Sequence, residues 1–343
     1  MSKKKRSCPV ASNRVGGQAV LEGIMMKHKS FCATAVRCPD GKIRLDKREV
    51  KSIREKIPFF KIPILRGVVN FIESMKLSMS TLTLSAEMQG IEEEPTKFEK
   101  WLEKKFGKSL MAIAAIIGGA LGILLALGLF FFLPMAISKL ISHFVTMPPI
   151  VKAIVEGVVK MIIFLLYIWL VAFMPDIRKT YEYHGAEHKS IFCHEAGLPL
   201  TVENIKKQSR FHPRCGTSMM FMMLLLGIVI STLLPNSLWS NIWLRFLVKL
   251  SILPIIVGIG YEITIFSGTH DNFLLRILTA PGLWFQRITT REPDDKEIEV
   301  AIVALKASLP EEFDPETVYD GIDGKPDDEA GETDKGEEEC SEN

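Results

Sequence analysis

Residues 110–133 read LMAIAAIIGGALGILLALGLFFFL, a run that contains no charged side chain. An α-helix of about 20 apolar residues crosses the hydrocarbon core of a bilayer, so this stretch predicts a transmembrane helix. Three further apolar stretches, 154–174, 217–234 and 246–266, extend the same pattern along the chain. The sequence therefore predicts a mainly α-helical, polytopic membrane protein with about four transmembrane helices.

Lysine and arginine gather on one side of these predicted spans. Residues 1–108 hold 23 of them against 12 acidic residues, and the loop 175–215 is also basic. The loops 135–153 and 235–245, on the opposite side, carry three in total. Because short cytoplasmic loops are enriched in Lys and Arg, we expect a multi-pass protein of the cell membrane with both termini and the 175–215 loop in the cytoplasm.

The composition divides the chain into four predicted parts: 1–108, 109–266, 267–309 and 310–343. The first is predicted to be a small cytoplasmic region with a β-hairpin around the Pro39-Asp40-Gly41 turn and an amphipathic helix on the membrane surface. The second is the membrane domain, which includes the 175–215 loop. The third is predicted to form interfacial and cytoplasmic helices, interrupted at Pro281-Gly282. The fourth, rich in Asp and Glu, is predicted to be a disordered acidic tail.

The basic loop between the second and third predicted spans contains His184-Gly185-Ala186-Glu187-His188. This is the inverted zincin pattern H-x-x-E-H. Positions i, i+3 and i+4 share one face of a helix, so both imidazoles can hold one divalent ion, zinc by preference, beside Glu187 as general base. The alternative interpretation is that these side chains only hydrogen-bond one another and the backbone.

A catalytic zinc site needs three protein ligands and one open position, so a third ligand must come from another segment. His212 and Cys215, at the start of the third predicted span, are the best candidates, with His212 ranked slightly ahead and Glu262 third. Positive charge on Arg214 would favour the Cys215 thiolate. Either Arg210 or Arg214 could stabilise a developing oxyanion or hold a lipid phosphate.

Three carboxylates are further candidates for the site. Glu195 lies seven residues beyond His188, roughly 10 Å along a helix, so it is expected to contact a ligand or the substrate rather than the same ion. Glu22, in an apolar and glycine-rich segment, calls for a buried partner such as Arg214 or the ion itself. Glu262 stands at the end of an apolar span, where it is either functional or reaches the interface.

Four motifs in this order resemble the YqhQ-like family. They are GGQAVLEGIMM at 16–26, HGAEHK at 184–189, HPRCGTS at 212–218, and APGLW at 280–284 with TREPD at 290–294. The resemblance covers roughly residues 10–308. It implies a bacterial or plastid membrane protein described as a metal-dependent enzyme, with no settled reaction. It also implies a shared polar core formed by His184, Glu187, His188, His212 and Cys215.

Two function classes follow from these patterns. One is a metal-dependent hydrolase that acts on a substrate presented at the cytoplasmic leaflet. The other is a non-catalytic assembly factor or scaffold, in which a structural metal or a polar cluster joins the loop to the third span. Membrane lipids, and a membrane-protein partner, are the expected partners. Nucleic acid is not expected, because the positive-inside bias and anionic lipid headgroups already account for the basic residues.

Overall fold

The computed structural model describes residues 15–90, 108–234, 241–267 and 273–322, which are mainly helical with one small β-sheet. The strands are β1 Val15–Val20, β2 Gly23–His28, β3 Phe31–Arg37 and β4 Ile43–Glu49. The helices are α1 Ile53–Lys56, α2 Leu65–Met88, α3 Lys108–Leu127, α4 Leu133–Phe144, α5 Pro149–Val171, α6 Pro175–Glu195, α7 Val202–Lys206, α8 Gly216–Thr232, α9 Ile242–Ser267, α10 Phe273–Thr289 and α11 Asp295–Ser308.

The four strands form one antiparallel sheet in the order β1-β2-β3-β4. The predicted hairpin is confirmed as β3 and β4, which pair Arg37 with Ile43 next to the turn. The glycine-rich segment before it, which gave no clear prediction, forms β1 and the turn into β2. That turn places Glu22 at a positive φ of 46°. Such tight connections make each strand pair with its neighbour in sequence.

Helix α11 fills the space between the sheet and α6. Asp294 accepts hydrogen bonds from the first turn, and Glu297 completes a capping box, as the Pro293-Asp294-Asp295 sequence predicts. The sequence indicated one apolar face, at Ile298, Ile302, Leu305 and Leu309. In the structure Val300, Ala301, Val303 and Ala304 are buried as well, because β2 and β3 cover one side of the helix and α6 covers the other.

The acidic tail begins later than residue 310. Val318 is buried, and Phe313, Tyr319 and Ile322 pack against the same core. The Tyr319 hydroxyl donates a hydrogen bond to the Ile43 carbonyl over 3.2 Å. A few apolar side chains among the acids are therefore enough to dock residues 310–322. The rest of the predicted disordered tail, 323–343, lies outside the described residues.

Three helices are long and apolar enough to cross a membrane: Ile117–Phe144, Pro149–Val171 and Ile242–Ser267. The first is longer than the predicted 110–133 stretch, because α3 continues through a π-helical turn at Gly128–Phe132 into α4. The third predicted span corresponds to α8, which is apolar but only 17 residues long. The described part of the chain therefore supports a membrane protein with three candidate spans rather than four.

Two further helices pack on the apolar helices, α2 on the candidate span α9 and α10 on the shorter α8. The predicted amphipathic helix is α2, which crosses α9 closely where Gly67 meets Gly258. Helix α10 was expected to break at Pro281-Gly282, but it is continuous from Phe273 to Thr289. A Cβ on Gly282 would lie 2.8 Å from the Cβ of Ser218, so the glycine lets α10 pack tightly on α8. We attribute the continuity to this packing, which offsets the backbone hydrogen bond that proline removes.

Candidate metal centre

Pro175-Asp176 predicts the start of a helix and Gly197 with Pro199 predicts its end, and helix α6, which carries the H-x-x-E-H residues, spans Pro175–Glu195 between them. Pro175 occupies its first turn, and Gly197 follows its end with a φ of +66°. His184, Glu187 and His188 are all buried on the face that turns toward the cavity described below. The predicted alignment of the three side chains on one rigid helix is thus present in the structure.

Gly185 sets how closely a neighbouring segment crosses α6. A Cβ at this position would lie 1.9 Å from the Arg291 carbonyl oxygen, an impossible contact. The crossing is fixed by the Arg291 amide, which donates to the Tyr181 carbonyl over 2.8 Å. The sequence analysis did not assign a role to this glycine, although it stands inside the motif.

His184, His188 and Cys215 each offer one ligand atom, and these atoms all lie within 4.8 Å of one another. His184 Nε2 is 3.2 Å from Cys215 Sγ. Cys215 occupies the N-cap position of α8, so its thiol lies beside the two rings at the start of this apolar helix. The three donors come from two segments, as expected for a site assembled at the mouth of the third predicted span.

The second nitrogen of each imidazole is held by a backbone carbonyl. His184 Nδ1 contacts the Thr289 carbonyl over 2.9 Å, and His188 Nδ1 contacts the Arg210 carbonyl over 2.5 Å. Since a carbonyl only accepts, Nδ1 carries the hydrogen in both rings and Nε2 is left to act as a ligand. Metal-binding histidines are usually oriented in this way. His188 Nε2 is buried and has no hydrogen-bond partner among the described residues.

His212 lies beside this group, but its ring carries the hydrogen on the other nitrogen. Its Nδ1 accepts a hydrogen bond from the Arg214 amide over 3.3 Å, which leaves the hydrogen of the neutral ring on Nε2. Burial lowers the pKa of His212 to about 4. His212 was ranked ahead of Cys215 as third ligand, but the structure groups Cys215 with the two histidines and leaves His212 as a neighbouring N–H donor.

Gln286 on α10 fixes the position of His212. Its side-chain oxygen accepts from the His212 amide over 2.7 Å, and its nitrogen donates to the His212 carbonyl over 2.7 Å and to Ser218 Oγ over 2.6 Å. The side chain is fully buried, so these three bonds replace hydrogen bonds that it would otherwise make to water. Sequence reasoning missed Gln286, because a single Gln in an apolar helix gives no spacing signal.

Glu187 lies against the first strand of the sheet. A Cβ on Gly17 would lie 2.7 Å from Glu187 Oε1, so glycine in β1 makes room for the carboxylate. Oε2 is buried without a hydrogen-bond partner among the described residues. Burial raises the pKa of Glu187, and the nearby imidazoles only partly oppose this effect. Such a carboxylate is suited to accept a proton.

Cys215 and His184 form a coupled pair. Burial acts to raise the pKa of the Cys215 thiol, but His184 and His188 more than offset it, so the pKa lies well below its usual value. Burial acts to lower the pKa of His184, yet the Cys215 sulfur raises it to about 9. A lowered pKa favours the thiolate, the form that binds metals and acts as a nucleophile.

The predicted arginines and Glu195 surround this group. Arg214 forms an ion pair with Glu195, whose other carboxylate oxygen is 3.8 Å from His212 Nε2. Glu195 therefore contacts a neighbour of the site rather than the three donor atoms, as its distance along the helix predicted. Arg210 donates to the Thr290 carbonyl over 2.5 Å. Both arginines thus tie the 210–215 segment to adjacent elements.

Two predicted carboxylates lie apart from the three donor atoms. Glu22 accepts a hydrogen bond from the Tyr183 hydroxyl over 3.1 Å, so its buried partner is this tyrosine and not Arg214. Glu262 binds Arg66 through contacts of 2.7 and 2.5 Å. Its candidacy as third ligand is therefore not supported, because the arginine on α2 already pairs with the carboxylate.

A cavity of about 1130 Å³ opens next to the three donors. His184, Glu187, His188 and Cys215 line one part of it, and His212 and Arg214 stand at its edge. Apolar side chains of α8 and α9, among them Met219, Met223, Ile252 and Ile256, line most of the remainder. The three donor side chains thus border an apolar chamber.

Comparison with known proteins places this fold and site among relatives without an assigned activity. The chain is 35% identical over 295 residues to the uncharacterised protein YqhQ of Bacillus subtilis (strain 168). The aligned region covers 86% of this chain and 92% of that protein. No solved structure is significantly similar. A family model for proteins of unknown function matches residues 62–311. The chain therefore belongs to that family, DUF1385, and is YqhQ-like along most of its length.

Proposed function

We propose that this protein is a metal-dependent hydrolase of the cell membrane whose site lies at the cytoplasmic face. The observation that carries the proposal is the convergence of two imidazole Nε2 atoms and one thiolate sulfur within 4.8 Å. Nitrogen and sulfur donors in this number suit zinc, which takes three protein ligands in catalytic sites. The unpartnered His188 Nε2 supports the same assignment, since a buried lone pair without a donor calls for a cation.

Each neighbouring side chain has a role in this proposal. Held by these donors, a divalent ion would supply Lewis acidity and an activated water. Glu187 acts as general base and accepts the proton of the attacking water, for which its raised pKa and free Oε2 are suitable. His212 donates its Nε2–H to the negative charge that develops on the substrate. Arg214, which also lines the cavity, is the second candidate for that charge.

A closed structural metal site is the alternative for the same residues. A structural zinc has four protein ligands, whereas a catalytic zinc keeps a position open. Among the described residues three donors converge, and all three line the cavity. This openness favours catalysis over a scaffold role. The basic loops likewise support the cytoplasmic orientation, with α8 as a short fourth crossing.

A cysteine hydrolase is a second candidate, which the 3.2 Å contact between His184 Nε2 and Cys215 Sγ favours. A thiolate at the N-terminus of α8 would be a competent nucleophile, with His184 as its base. That mechanism needs one imidazole. The cysteine mechanism gives no role to His188, which lies close to the same sulfur. For this reason we rank the cysteine hydrolase below the metal site.

Metal analysis of the purified full-length protein tests the proposal. After incubation with zinc and removal of excess ion, we expect about one zinc per wild-type chain and loss of most of it in the His184→Ala/His188→Ala variant. Cys193→Ala is the matched control, because Cys193 lies on the same helix with its thiol directed at the Leu198 and Pro199 carbonyls. Equal, negligible zinc in wild type and double variant would refute both metal proposals.

Replacement of Glu187 by Gln separates the enzyme from the structural site. The variant should keep its zinc, because Glu187 is not one of the three donors. It should lose at least a hundredfold of any hydrolysis that the wild type shows on a panel of acyl esters and phosphodiesters. Wild-type turnover by Glu187→Gln contradicts Glu187 as base. Turnover retained by His188→Ala but lost by Cys215→Ala would instead support the cysteine mechanism.

A further inference from the structure

A second group of charged side chains lines the cavity away from the metal donors. Glu156 and Lys160 stand one turn apart on α5, and Lys249 faces them from α9. Lys249 Nζ binds Glu156 Oε1 over 2.5 Å, and Arg245 pairs with the other oxygen of Glu156. Glu156 and Arg245 are almost completely buried. We name these four residues the basic cluster.

The basic cluster lies within the candidate membrane spans. Glu156 is seven residues from the start of α5 and Lys160 is eleven, which places them about 10 and 16 Å along the helix. Lys249 is seven residues, about 10 Å, from the start of α9. Ionisable groups at such depth are rare and usually face a water-filled cavity or a ligand path.

Positive charge exceeds negative charge in this cluster. The single carboxylate of Glu156 is shared by Arg245 and Lys249, so its charge is already matched. Lys160 adds a third cation, and no carboxylate of the described residues lies within ion-pair distance of it. A buried excess of positive charge is unfavourable unless a lysine loses its proton or an anion compensates the charge, and a bound anion is what would keep all three side chains charged. The cluster therefore has the charge of an anion-binding site.

The space beside the cluster is apolar and elongated. Cavity-lining residues of α8 run from Gly216 to Ser231, a length of about 22 Å at the rise of a helix. Met219, Met223 and Leu224 on this helix supply mobile, apolar surface. A small inorganic anion would leave this surface uncovered, whereas an alkyl chain would fill it.

We propose that the cavity binds an anionic amphiphile, with its carboxylate or phosphate at Lys160 and Lys249 and its alkyl chain along α8. Charge complementarity supports the position of the anionic headgroup, and the length and apolar lining of the cavity support the position of the alkyl chain. The assignment stands apart from the proposed hydrolase, because none of its residues belongs to the metal donors. A bound chain would extend from the basic cluster toward His184 and Cys215.

Binding of matched amphiphiles to the purified full-length protein in a neutral detergent tests this proposal. The probes are oleate and an oleoyl lysophosphatidate, their uncharged or zwitterionic counterparts oleyl alcohol and oleoyl lysophosphatidylcholine, and inorganic phosphate. Native mass spectrometry and displacement of a fluorescent fatty acid report the affinities. We expect the anionic probes to bind at least tenfold tighter than their counterparts. Whichever of oleate and lysophosphatidate binds more tightly identifies the headgroup as a carboxylate or a phosphate.

Variants at Lys160 link the preference to the cluster. Lys160→Gln should reduce the affinity for the anionic probes at least tenfold and leave the others unchanged, while Lys160→Arg should retain it. Lys152→Gln, on the same helix but outside the cavity lining, should behave as wild type. The Lys160→Arg result keeps the test valid if Lys160→Gln fails to fold.

Three results would overturn the proposal. One is a wild type that binds oleyl alcohol as tightly as oleate, and another is unchanged oleate and lysophosphatidate binding in Lys160→Gln. The third is displacement by inorganic phosphate as effective as that by lysophosphatidate, which would indicate a small-anion site. The His184→Ala/His188→Ala variant, which lacks two of the metal donors, should bind the amphiphiles with wild-type affinity. The amphiphile proposal can therefore hold even if the metal proposal fails.

Discussion

Two polar groups line the same cavity, and they need partners of opposite sign. His184, His188 and Cys215 place their ligand atoms within 4.8 Å of one another, and His188 Nε2 has no hydrogen-bond partner within the described chain. The basic cluster instead places three cationic side chains around one carboxylate. The difference in charge is why we propose a cation as the ligand of the first group and an anion as the ligand of the second.

The two groups also differ in how the fold supports them. The metal donors are held by α6, the start of α8 and backbone carbonyls from the 210 and 289 regions, all in close contact. The basic cluster is held by α5 and α9, helices with much exposed apolar surface. Changes that disturb the first scaffold should therefore leave the second intact, and the predictions below use this contrast.

The largest effect is expected from Gly185→Ala. The added Cβ would overlap the Arg291 carbonyl oxygen, so the 289–293 segment must move away from α6. Steric conflicts of this kind cost about 3 kcal/mol or more in unfolding free energy. Displacement of the Thr289 carbonyl should also release His184 and abolish zinc binding. Thermal unfolding in detergent and metal analysis measure the two effects.

Gly16→Ala is the control for this substitution. Gly16 also lies near the site, but a Cβ there would meet nothing within 4 Å. It should keep both its midpoint of unfolding and its zinc. If Gly185→Ala retained the wild-type midpoint of unfolding, the close crossing at α6 would be wrong. The contrast between the support of the metal donors and that of the basic cluster would then fall as well.

An intermediate effect is expected from Gln286→Leu. The change leaves the buried amide of His212 without its partner and leaves the His212 carbonyl with the longer 3.4 Å hydrogen bond from the Cys215 amide, which should lower the unfolding free energy by about 1–3 kcal/mol. Because Cys215 is three residues from His212, zinc affinity should fall about 10–100-fold. Amphiphile binding at the basic cluster should not change. Equal losses at both ends of the cavity would show that the two groups are not supported independently.

The sequence predicted those features that repeat at short range. The spacing of His184, Glu187 and His188 placed three side chains on one helix face, and the turn residues located the hairpin and both ends of α6. These inferences depend on local geometry, which a helix or a tight turn imposes regardless of the rest of the fold. The capping signal at Asp294 succeeded for the same reason.

Contacts between distant segments could not be derived in this way. The choice between His212 and Cys215 depends on how each side chain is oriented, and Gln286 holds the His212 backbone from 74 residues away. The roles of Gly17 and Gly185 depend on neighbours that sequence spacing does not identify. The basic cluster could not be predicted because Glu156 and Lys249 are 93 residues apart in the sequence, although their side chains are 2.5 Å apart in the fold.

The smallest effect is expected from Glu262→Gln, which tests whether this carboxylate belongs to either group. Arg66 and Glu262 form a partly exposed ion pair between α2 and α9, and such pairs contribute about 0–1 kcal/mol. Zinc content should stay at the wild-type level, because no donor atom is changed. Affinity for oleate should also stay constant, since Glu262 does not line the cavity. Loss of zinc in this variant would restore Glu262 as a ligand. Helix α9 would then take part in the metal centre, and the metal donors and the basic cluster would no longer be held by separate helices.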